Sequence, residues 1–501
     1  MPGRVILAID QGTTGSRVIL FNRDGRAVGS AYAEFRQHYP KPAWVEHDAA
    51  EIWRGVESLI PRALNDAGLS PGDVHAVGIT NQRETTVLWD RATGAPVAPA
   101  IVWQDRRTTE ACQELKRAGL DELIRERTGL PIDPYFSATK LAWMLDHDAG
   151  LRRRAEKGEL AFGTIDSWLI WNLTRGVGEP LHATDVSNAS RTMLFNIHTL
   201  TWDAEILHRL RIPPAVLPEV RPCAGDLGRT GVAGLAGVPV AGAAGDQQAA
   251  LFGQCCFDRG SIKNTYGTGS FALMSTGTHP VPSRDLVATV AWKIGDEPAE
   301  YALEGSVFIA GAAVQWLRDG LGIIGSARET EALARSIDSN ENVYFVPALA
   351  GLGAPHWDPD ARGVLVGLTR GTTRAHLARA ALEAICYQSR DVVDAMRSES
   401  ALTIPELRAD GGAATNAFLM QFQADILGVP VVVPPVSETT ALGAAYLAGL
   451  GSGFWTSKDE VAALWRQAAR YEPAMDHGER ERLYARWRRA VELSRGWERS
   501  P

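Results

Sequence analysis

Two short segments of similar composition lie far apart in the chain and could hold a phosphate between them. The first, ILAIDQGTTGSRVILF, covers residues 6–21, and the second, IKNTYGTGSFALMS, covers residues 262–275. Each reads as an apolar strand, a turn rich in Gly and Thr, and a second apolar strand. Because such a turn carries no bulky side chains, its backbone N–H groups can approach an anion closely, and threonine hydroxyls add donors. The pair predicts a phosphate site formed by two similar halves of the protein.

Asp10 stands at the entrance to the first turn and is the candidate metal-associated residue. A carboxylate there can hold magnesium, directly or through water, beside the phosphates that the turn binds. Arg17, a few residues further on, could reach a polyphosphate or simply lie on the surface. The alternative for both turns is an ordinary hairpin, with Asp10 capping the first.

A third segment, GDQQ at residues 245–248, follows a run of small apolar residues and supplies an acid and two amides. A polar pocket is common at the end of such a strand. Phosphoryl transfer to an alcohol benefits from a carboxylate that accepts the hydroxyl proton, and Asp246 is the candidate for this role. The alternative is that Asp246 only caps the helix that follows it.

The segment NQRETT, residues 81–86, sets an arginine and a glutamate side by side between two predicted strands. In a regular strand Arg83 and Glu84 would face opposite sides, so both can reach one pocket only if the strand ends or bends there. A guanidinium and a carboxylate together suit a polyol, whose hydroxyls both donate and accept hydrogen bonds. The alternative is an exposed turn with a mutual ion pair. Three aromatic residues could form apolar walls for a carbon chain, although each could also belong to the core: Trp103, Tyr135 and Phe271.

The segment DGGAATN, residues 410–416, reads as a strand end, a pair of glycines and the start of a helix. Glycines at such a corner let a flat ring or a phosphate lie against the backbone near a helix N-terminus. Asn416 is a candidate hydrogen-bond partner for a nucleotide base. The alternative is a corner that serves only the packing of the helix on the strand.

The composition of the 501-residue chain predicts a globular protein of two large lobes. Its formal net charge of -8 gives no electrostatic support for a nucleic-acid partner. No run of about 18 apolar residues occurs, so we expect no membrane span. We expect no signal peptide either, because a strand is predicted from residue 5. The histidines and the five cysteines have no metal-type spacing, and this cysteine usage fits a reducing cytoplasm.

Two successive sets of strands and helices must position these residues. In the first half, strands are predicted at residues 5–9, 17–21, 26–32, 77–80, 86–89 and 101–103, and helices at 108–118 and 138–145. The pattern restarts near residue 241, with strands at 261–266, 271–275, 287–292, 301–304, 407–410 and 431–433, and helices at 311–320, 374–397 and 475–495. No low-complexity linker separates the halves, so we expect a packed hinge near residues 253–260.

Taken in order, these segments resemble the glycerol-phosphorylating members of the FGGY family of carbohydrate kinases. The resemblance spans nearly the whole chain, from AIDQGTTGSR to TALGAAYLAGLGSGFW, through VGITNQRETTVLWD, PYFSATKLAWML, DVSNASRTMLFNI, AGDQQAALFGQ, NTYGTGSFAL and DGGAATNAFLMQFQADILG. It implies an α/β fold of two ribonuclease-H-like (actin-like ATPase) lobes around a central cleft, divided into residues 1–253 and 254–501. It also implies the phosphorylation of glycerol by ATP, with magnesium, to give sn-glycerol 3-phosphate.

The resemblance further implies roles for single residues, each at a position that matches a family motif. Asp246 matches the general base, and Asp10 matches the acid associated with magnesium. The expected glycerol contacts are Arg83, Glu84, Trp103, Tyr135, Asp246, Gln247 and Phe271. The expected nucleotide contacts are Thr13, Thr14, Gly15, Arg17, Thr268, Gly311, Gln315, Gly412 and Asn416.

Departures from the family pattern bear on phosphate binding and on control. Gly15 stands where similar enzymes often carry serine, so we expect a hydroxyl contact to phosphate to be missing. Some relatives bind a sugar bisphosphate inhibitor through a GGTR-like loop, but residues 231–237 read GVAGLAG and hold no arginine. No histidine lies between His208 and His279, where other relatives carry one that is phosphorylated. We therefore expect weak or no regulation by either route.

Other functions compete with glycerol phosphorylation. A kinase for a longer sugar or polyol, such as xylulose or gluconate, would share the two phosphate turns, but the QRET pair with Tyr135 and Phe271 favours a small substrate. An actin-like chaperone would need a peptide-binding domain, and a filament ATPase would assemble with ATP. An inactive binding protein is disfavoured because Asp10, Asp246 and both turns are intact. The sequence leaves the oligomeric state open, a homo-oligomer included.

Overall fold

A computed structural model describes residues 4–498 as strands and helices that alternate along the chain. Up to residue 245 the strands are β1 (Val5–Gln11), β2 (Gly15–Phe21), β3 (Ala27–Glu34), β4 (Glu46–His47), β5 (Val74–Asn81), β6 (Val87–Asp90), β7 (Ala100–Ile101), β8 (Leu160–Gly163), β9 (Ala183–Asp185), β10 (Phe195–Asn196), β11 (Thr201–Trp202), β12 (Glu219–Arg221) and β13 (Val240–Gly245). The helices up to residue 253 are α1 (Ala49–Ala67), α2 (Thr109–Arg117), α3 (Asp121–Thr128), α4 (Ser137–His147), α5 (Ala149–Glu156), α6 (Ile165–Thr174), α7 (Val186–Ala189), α8 (Ala204–Arg209) and α9 (Asp246–Gly253).

The second half continues with a similar mixture of elements. Its strands are β14 (Ile262–Tyr266), β15 (Ser270–Gly277), β16 (Val287–Trp292), β17 (Glu300–Val307), β18 (Tyr344–Val346), β19 (Val364–Val366), β20 (Leu407–Asp410), β21 (Val431–Val433) and β22 (Ala469–Tyr471). Its helices are α10 (Gly311–Gln315), α11 (Glu329–Arg335), α12 (Arg374–Ser400), α13 (Ala417–Leu427), α14 (Thr439–Gly451), α15 (Lys458–Ala462) and α16 (His477–Ser494). Short 3-10 turns lie at Pro71–Asp73, Pro214–Val216 and Gly412–Thr415, and a π-helical turn at Trp316–Gly320 extends α10.

Two central sheets organise the two halves. The first has the strand order β13-β5-β1-β2-β3, and the second has the order β16-β17-β15-β14-β20-β21-β22. In each sheet an antiparallel hairpin, β1–β2 or β14–β15, lies next to a parallel strand, β5 or β20. The two Gly/Thr-rich turns predicted from the sequence are the turns of these hairpins. The repeat of layout that the sequence predicts is thus confirmed.

The first sheet is buried on both faces, which explains the nearly continuous apolar run of β1. Val5, Leu7 and Ile9 pack on one face with the buried side of α1. Asp48 begins that helix by accepting hydrogen bonds from the backbone N–H groups of Ala50 and Glu51. The opposite face of the sheet is covered by α14, a helix from the second half of the chain.

Helix α14 approaches the first sheet and α9 more closely than ordinary side chains would allow. A Cβ atom added at Gly78 in β5 would lie 2.3 Å from the carbonyl oxygen of Ala444. One added at Gly443 would lie 1.8 Å from the carbonyl oxygen of Ala249 in α9. Glycine at these positions therefore permits backbone-to-backbone packing of α14 under the sheet.

The connection between the halves is packed, as the sequence predicts. Between the end of α9 and the start of β14, residues 254–256 and Gly260 are buried, whereas Asp258 and Arg259 are exposed. Among residues 4–498, no helix combines the length and the apolar character that crossing a bilayer requires.

Candidate active site

Three parallel strands bring the predicted polar segments to one edge of the first sheet. Strand β5 lies between β1 and β13, with Asp10 opposite Thr80 and Gly245 opposite Asn81. The carboxyl ends of parallel strands share one edge of a sheet, which is where ligands bind in α/β proteins. Asp10, the residues after β5 and Asp246 therefore meet at the same place.

The chain turns sharply directly after β5. The strand ends at Asn81, and Glu84 has a φ of 62°, which is left-handed backbone for a residue other than glycine. The backbone N–H of Thr85 donates to the carbonyl oxygen of Arg83 at 2.7 Å, which closes a three-residue turn. The strand thus ends and the chain bends here, which is the condition set by the sequence for Arg83 and Glu84 to reach one pocket. Such backbone strain costs about 1–3 kcal/mol and persists where surrounding structure holds it.

Arg83 and Glu84 belong to a buried network of two arginines and two glutamates. Arg83 Nη2 donates to Glu304 Oε1 at 2.9 Å, and Arg191 Nη2 donates to the same oxygen at 3.0 Å. Arg191 Nε donates to Glu84 Oε1 at 2.7 Å. None of the four residues is more than 3% exposed. Since Glu304 lies in the second sheet, this network joins the two halves beneath the candidate site.

Arg191 and Glu304 carry no local sequence pattern that indicates a function. Arg191 lies in the DVSNASRTMLFNI segment that supported the family resemblance, and Glu304 lies in a strand whose other residues are mostly apolar. An acid in the buried part of a strand is a signal, because such an acid needs a charged partner. The sequence does not reveal which residue is the charged partner of Glu304.

The two arginines of the network determine which of its two glutamates is ionised. Burial by itself would raise the pKa of Glu304, but Arg191 and Arg83 outweigh burial and lower this pKa to about 2. Burial raises the pKa of Glu84, and Arg83 and Arg191 oppose this only in part. Glu304 is therefore the firmly ionised acid that holds both arginines in place.

Asp246 is the first residue of α9 and faces the network. Its Oδ1 lies 3.1 Å from Arg83 Nε and accepts the backbone N–H of Gln247 at 2.7 Å. Its side chain is 31% exposed, whereas that of Arg83 is 2% exposed. Burial raises the pKa of Asp246, and Arg83 and Lys263 counteract the rise only partly. The alternative that Asp246 caps this helix is wrong, because the N-cap is Gly245 and no side chain caps it. Asp246 instead presents an accessible carboxylate of increased basicity.

Lys263 holds Gln247 from the second half of the chain. Its fully buried ammonium group donates to Gln247 Oε1, to Thr265 Oγ1 at 3.0 Å and to the carbonyl oxygen of Phe271 at 3.2 Å. Because the amide oxygen of Gln247 is engaged, its NH₂ group is the part left to donate to a ligand. Lys263 is thus a third residue of the site, after Arg191 and Glu304, that no local sequence pattern marks.

The titration of Lys263 leads to a stability prediction. Burial lowers the pKa of Lys263 from its usual value to about 8. Between about pH 8 and pH 10.5 the unfolded chain therefore holds a proton that the folded protein has released, so stability rises with pH. We expect the free energy of unfolding of the wild type, relative to Lys263→Met, to increase by about 1–3 kcal/mol across this interval. Urea unfolding at several pH values measures this.

Lys157→Met is the matched control for that measurement, because Lys157 is exposed. The control should follow the pH dependence of the wild type. If Lys263→Met also follows it, the pKa of Lys263 is not lowered.

Asp10 lies among other acids at the end of β1. Burial, Asp246 and Glu438 raise the pKa of Asp10 to about 7, and Arg17 offsets this only in part. Arg17, opposite Asp10 in β2, pairs with Glu438 at the start of α14. Carboxylates that repel each other suit a hard divalent cation. Residues 4–498 contain no group of three or more His, Cys, Asp or Glu side chains arranged as a metal cage, and magnesium commonly uses one or two carboxylates together with phosphates and waters.

The first Gly/Thr-rich turn is connected to the aromatic side of the site. The backbone N–H of Gly12 donates to the carbonyl oxygen of Gly15 at 2.9 Å, and the side chain of Thr14 is exposed. Trp103 Nε1 donates to Thr13 Oγ1 at 3.0 Å. The ring of Trp103 meets the ring of Tyr135 edge-on at 5.6 Å. The turn and the two predicted aromatic walls are therefore one contiguous surface.

The remaining substrate candidates lie around the same network. The ring of Tyr135 lies 5.8 Å from the Arg191 guanidinium carbon, and its carbonyl oxygen accepts a hydrogen bond from Lys140 Nζ at 2.6 Å. Phe271 lies in β15 opposite Thr265, and its backbone is held by Lys263. These contacts join Tyr135 to the first half of the site and Phe271 to the second.

The second Gly/Thr-rich turn packs against the start of α10. The backbone N–H of Gly311 donates to the carbonyl oxygen of Gly267 at 3.0 Å, and that of Ala312 donates to the carbonyl oxygen of Thr268 at 3.0 Å. Gln315 lies at the end of α10 and is exposed. Three of the predicted nucleotide contacts are thereby gathered at one corner: Thr268, Gly311 and Gln315.

The DGGAATN corner lies beside that turn because β20 and β14 are parallel, with Asp410 opposite Thr265. Gly411 has a φ of 87°, and a Cβ atom added there would lie 2.4 Å from the carbonyl oxygen of Tyr266, so the corner requires glycine. The space above Gly412 is open to at least 4 Å. Asn416 caps α13 through its side-chain oxygen, which accepts from the backbone N–H of Leu419. Its amide NH₂ group makes no hydrogen bond within residues 4–498 and can therefore donate to a ligand.

The chain is similar to carbohydrate kinases in both sequence and structure. The chain matches the FGGY family of carbohydrate kinases, N-terminal domain, over residues 5–253, and the C-terminal domain of that family over residues 262–452. It is 58% identical to glycerol kinase 2 of Thermotoga maritima over 99% of this chain and 100% of the relative. It is also 58% identical to glycerol kinase of Deinococcus radiodurans over 98% of each protein. A crystal structure of Plasmodium falciparum glycerol kinase with ADP is 36% identical, with a TM-score of 0.92 over 98% of both chains.

Proposed function

The chain belongs to the FGGY family of carbohydrate kinases, with the two actin-like ATPase lobes that its sequence predicts, and we propose that it phosphorylates glycerol with ATP. The product is sn-glycerol 3-phosphate and ADP, and the reaction is the first step of glycerol utilisation. The observation that carries the proposal is the accessible carboxylate of Asp246, 3.1 Å from the guanidinium of Arg83, which Glu304 holds in place. The end-to-end identity of 58% to proteins named glycerol kinase supports the choice of substrate.

In the proposed reaction Asp246 accepts the proton of a terminal glycerol hydroxyl as that oxygen attacks the γ-phosphorus of ATP, and the bond from this phosphorus to the bridging oxygen breaks to release ADP. A carboxylate of raised pKa is better suited to this than an ordinary surface aspartate. Arg83, Glu84 and the NH₂ group of Gln247 orient the hydroxyls, and the aromatic rings enclose the carbon chain. Positioning and charge neutralisation supply most of the rate in phosphoryl transfer.

Magnesium fits the acidic edge near Asp10. When bound with the nucleotide it neutralises phosphate charge and aligns the γ-phosphoryl group. The protein's own contribution there is the carboxylate of Asp10, whose pKa is raised to about 7 by burial first and then by repulsion from Asp246 and Glu438. The two turns donate backbone and threonine groups to the phosphates, and Gly412 and Asn416 receive the adenine.

The test is ADP release by purified protein, coupled to an indicator reaction, with magnesium-ATP and a panel of polyols and sugars of three to six carbons. We expect glycerol to give the highest kcat/KM. A preference for xylulose or gluconate would favour the longer-substrate alternative. ATP-dependent assembly without phosphorylation would favour a filament ATPase.

A further expectation concerns control by sugar bisphosphates. Residues 231–237 contain neither arginine nor lysine, and Val232 and Leu235 of this loop are buried in the core of the first half. Without a cation in the loop to bind phosphate, fructose 1,6-bisphosphate at physiological concentration should change the initial rate by less than about twofold. Inhibition that saturates in this range and leaves little activity would contradict the prediction.

All five cysteines are free and buried, and this supports a reducing compartment, the cytoplasm. A homo-oligomeric state stays a prediction that sedimentation of the purified protein would test.

A further inference from the structure

Three neighbouring strands of the first sheet carry a row of side chains on one face, at the end of β1 where Asp10 lies. Asp10 in β1 lies opposite Arg17 in β2, and Arg17 lies opposite Tyr32 in β3. Alternate residues of a strand share a face, and the apolar residues between these, such as Ile9 and Val18, pack on the opposite face with α1. Tyr32 therefore belongs to the same face as the acid and the arginine of the proposed phosphate site.

The hydroxyl of Tyr32 occupies the space directly over the first turn. A Cβ atom added at Gly15 would lie 2.5 Å from Tyr32 Oη and 2.6 Å from Tyr32 Cε2. A side chain at residue 15 and the present position of Tyr32 therefore exclude each other. The ring also lies 5.3 Å from the guanidinium carbon of Arg17, within the range of a cation–π contact.

Tyr32 is an unusual residue for its position. β3 is the edge strand of the sheet, and Tyr32 is 42% exposed although it is large and aromatic. Within residues 4–498 its hydroxyl has no hydrogen-bond partner, and the hydrogen bond from Arg62 goes to its backbone oxygen instead. A phenol is both donor and acceptor, and an exposed one beside a guanidinium is suited to an anionic oxygen.

We propose that Tyr32 is a nucleotide-binding residue, whose hydroxyl donates to the terminal phosphates of the nucleoside triphosphate from the space above Gly15. Its ring orients Arg17 toward the same phosphates. The contact to phosphate that a side chain at residue 15 could supply thus comes from the neighbouring strand. This inference rests on the proposed function, since it concerns the same phosphate site.

Tyr32→Phe tests the hydroxyl alone, because phenylalanine keeps the ring and its contact with Arg17. We expect KM for ATP and the dissociation constant of magnesium-ATP to rise by about tenfold, as for loss of one hydrogen bond to a charged group. KM for glycerol should change by less than about twofold, since the affected contact is to phosphate. Tyr39→Phe is the matched control, because Tyr39 is 69% exposed and lies outside the site, and it should leave all constants unchanged.

Variants at residues 15 and 32 test whether their side chains compete for the same space over the first turn. Gly15→Ser alone should weaken magnesium-ATP binding, because the serine and Tyr32 compete for the same volume. Tyr32→Ala alone should weaken binding through loss of the hydroxyl and of the ring on Arg17. The double variant Gly15→Ser/Tyr32→Ala should bind magnesium-ATP more tightly than either single variant, since the serine then has room and supplies a hydroxyl.

Unchanged affinity for magnesium-ATP in Tyr32→Phe would overturn the proposal, and so would additive losses in the double variant. Calorimetry without glycerol separates this from failure of the proposed function. If the wild type binds magnesium-ATP but phosphorylates no polyol, the function fails, and the affinities of the variants still decide the role of Tyr32.

Discussion

Replacing Asp246 with alanine is expected to lower kcat by roughly two to four orders of magnitude, the contribution that a positioned general base makes. The protein should still fold and bind ATP, because Arg83 keeps its buried partner Glu304 when Asp246 is removed. Initial rates from coupled ADP release give kcat, and calorimetric titration with magnesium-ATP gives the affinity.

Two further variants sharpen the result for Asp246. Asp246→Asn keeps the shape and the hydrogen bond to the backbone of Gln247 but accepts no proton, so it should lose as much turnover as the alanine variant. Asp296→Ala, at an exposed aspartate, should leave turnover unchanged. A near-normal kcat in Asp246→Ala would remove Asp246 from the role of base.

Glu304→Gln should destabilise the protein by about 3–5 kcal/mol, the cost of breaking a buried ion pair by removing one partner. Glu304 is the acid shared by Arg83 and Arg191, so its neutralisation leaves an excess positive charge in the interior. KM for glycerol should rise as well, because Arg83 loses the group that fixes its guanidinium. Urea unfolding of the ligand-free protein measures the first effect, and steady-state kinetics measures the second.

The control for Glu304 is Glu479→Gln. Glu479 pairs with Arg482 on the surface of α16, and both side chains are at least 44% exposed. Loss of such a pair typically costs about 0–1 kcal/mol. If Glu304→Gln lowers the free energy of unfolding by no more than this control does, the network does not support the site. The double variant Arg191→Gln/Glu304→Gln removes one charge of each sign. Its free energy of unfolding should fall by less than the sum of the decreases in the two single variants.

The candidate site could be predicted from sequence wherever the chemistry is local. Four segments carry their functional groups within a few residues, at the ends of apolar strands: GDQQ, QRET and the two Gly/Thr-rich turns. Parallel pairing then brings those strand ends to one edge, and this follows from a general rule of α/β sheets. Most of the predicted strands and helices also lie within an element of the structure, as for 374–397 in α12 and 407–410 in β20.

The residues that hold these groups in place could not be predicted in the same way. Arg191 and Glu304 are 113 positions apart, and Arg83 and Glu304 are 221 positions apart. No local pattern marks such partners, because an ion pair depends only on where the folded chain brings the two charges. The same holds for Lys263, whose three acceptors become neighbours only when β14, β15 and α9 are assembled.

Some helices were missed for a related reason. Every residue of α6 is buried, so its sequence has no polar face and no helical period to recognise. Helix α14 is buried from Ala441 to Gly449 and is rich in glycine and alanine. Its packing partners are strands some 200 to 400 positions earlier, and only that tertiary packing makes a helix of such composition stable there.

The location of α14 determines how the polypeptide can be divided. A gene fragment that stops at codon 253 would encode the whole first sheet but not the helix that covers its face opposite α1. Ile6 and Ala8 would then meet water, along with the backbone of β5 at Gly78. Any split version of this protein, or any chimera with another kinase, must therefore carry residues 439–451 with the first half, as a graft or as a permuted terminus.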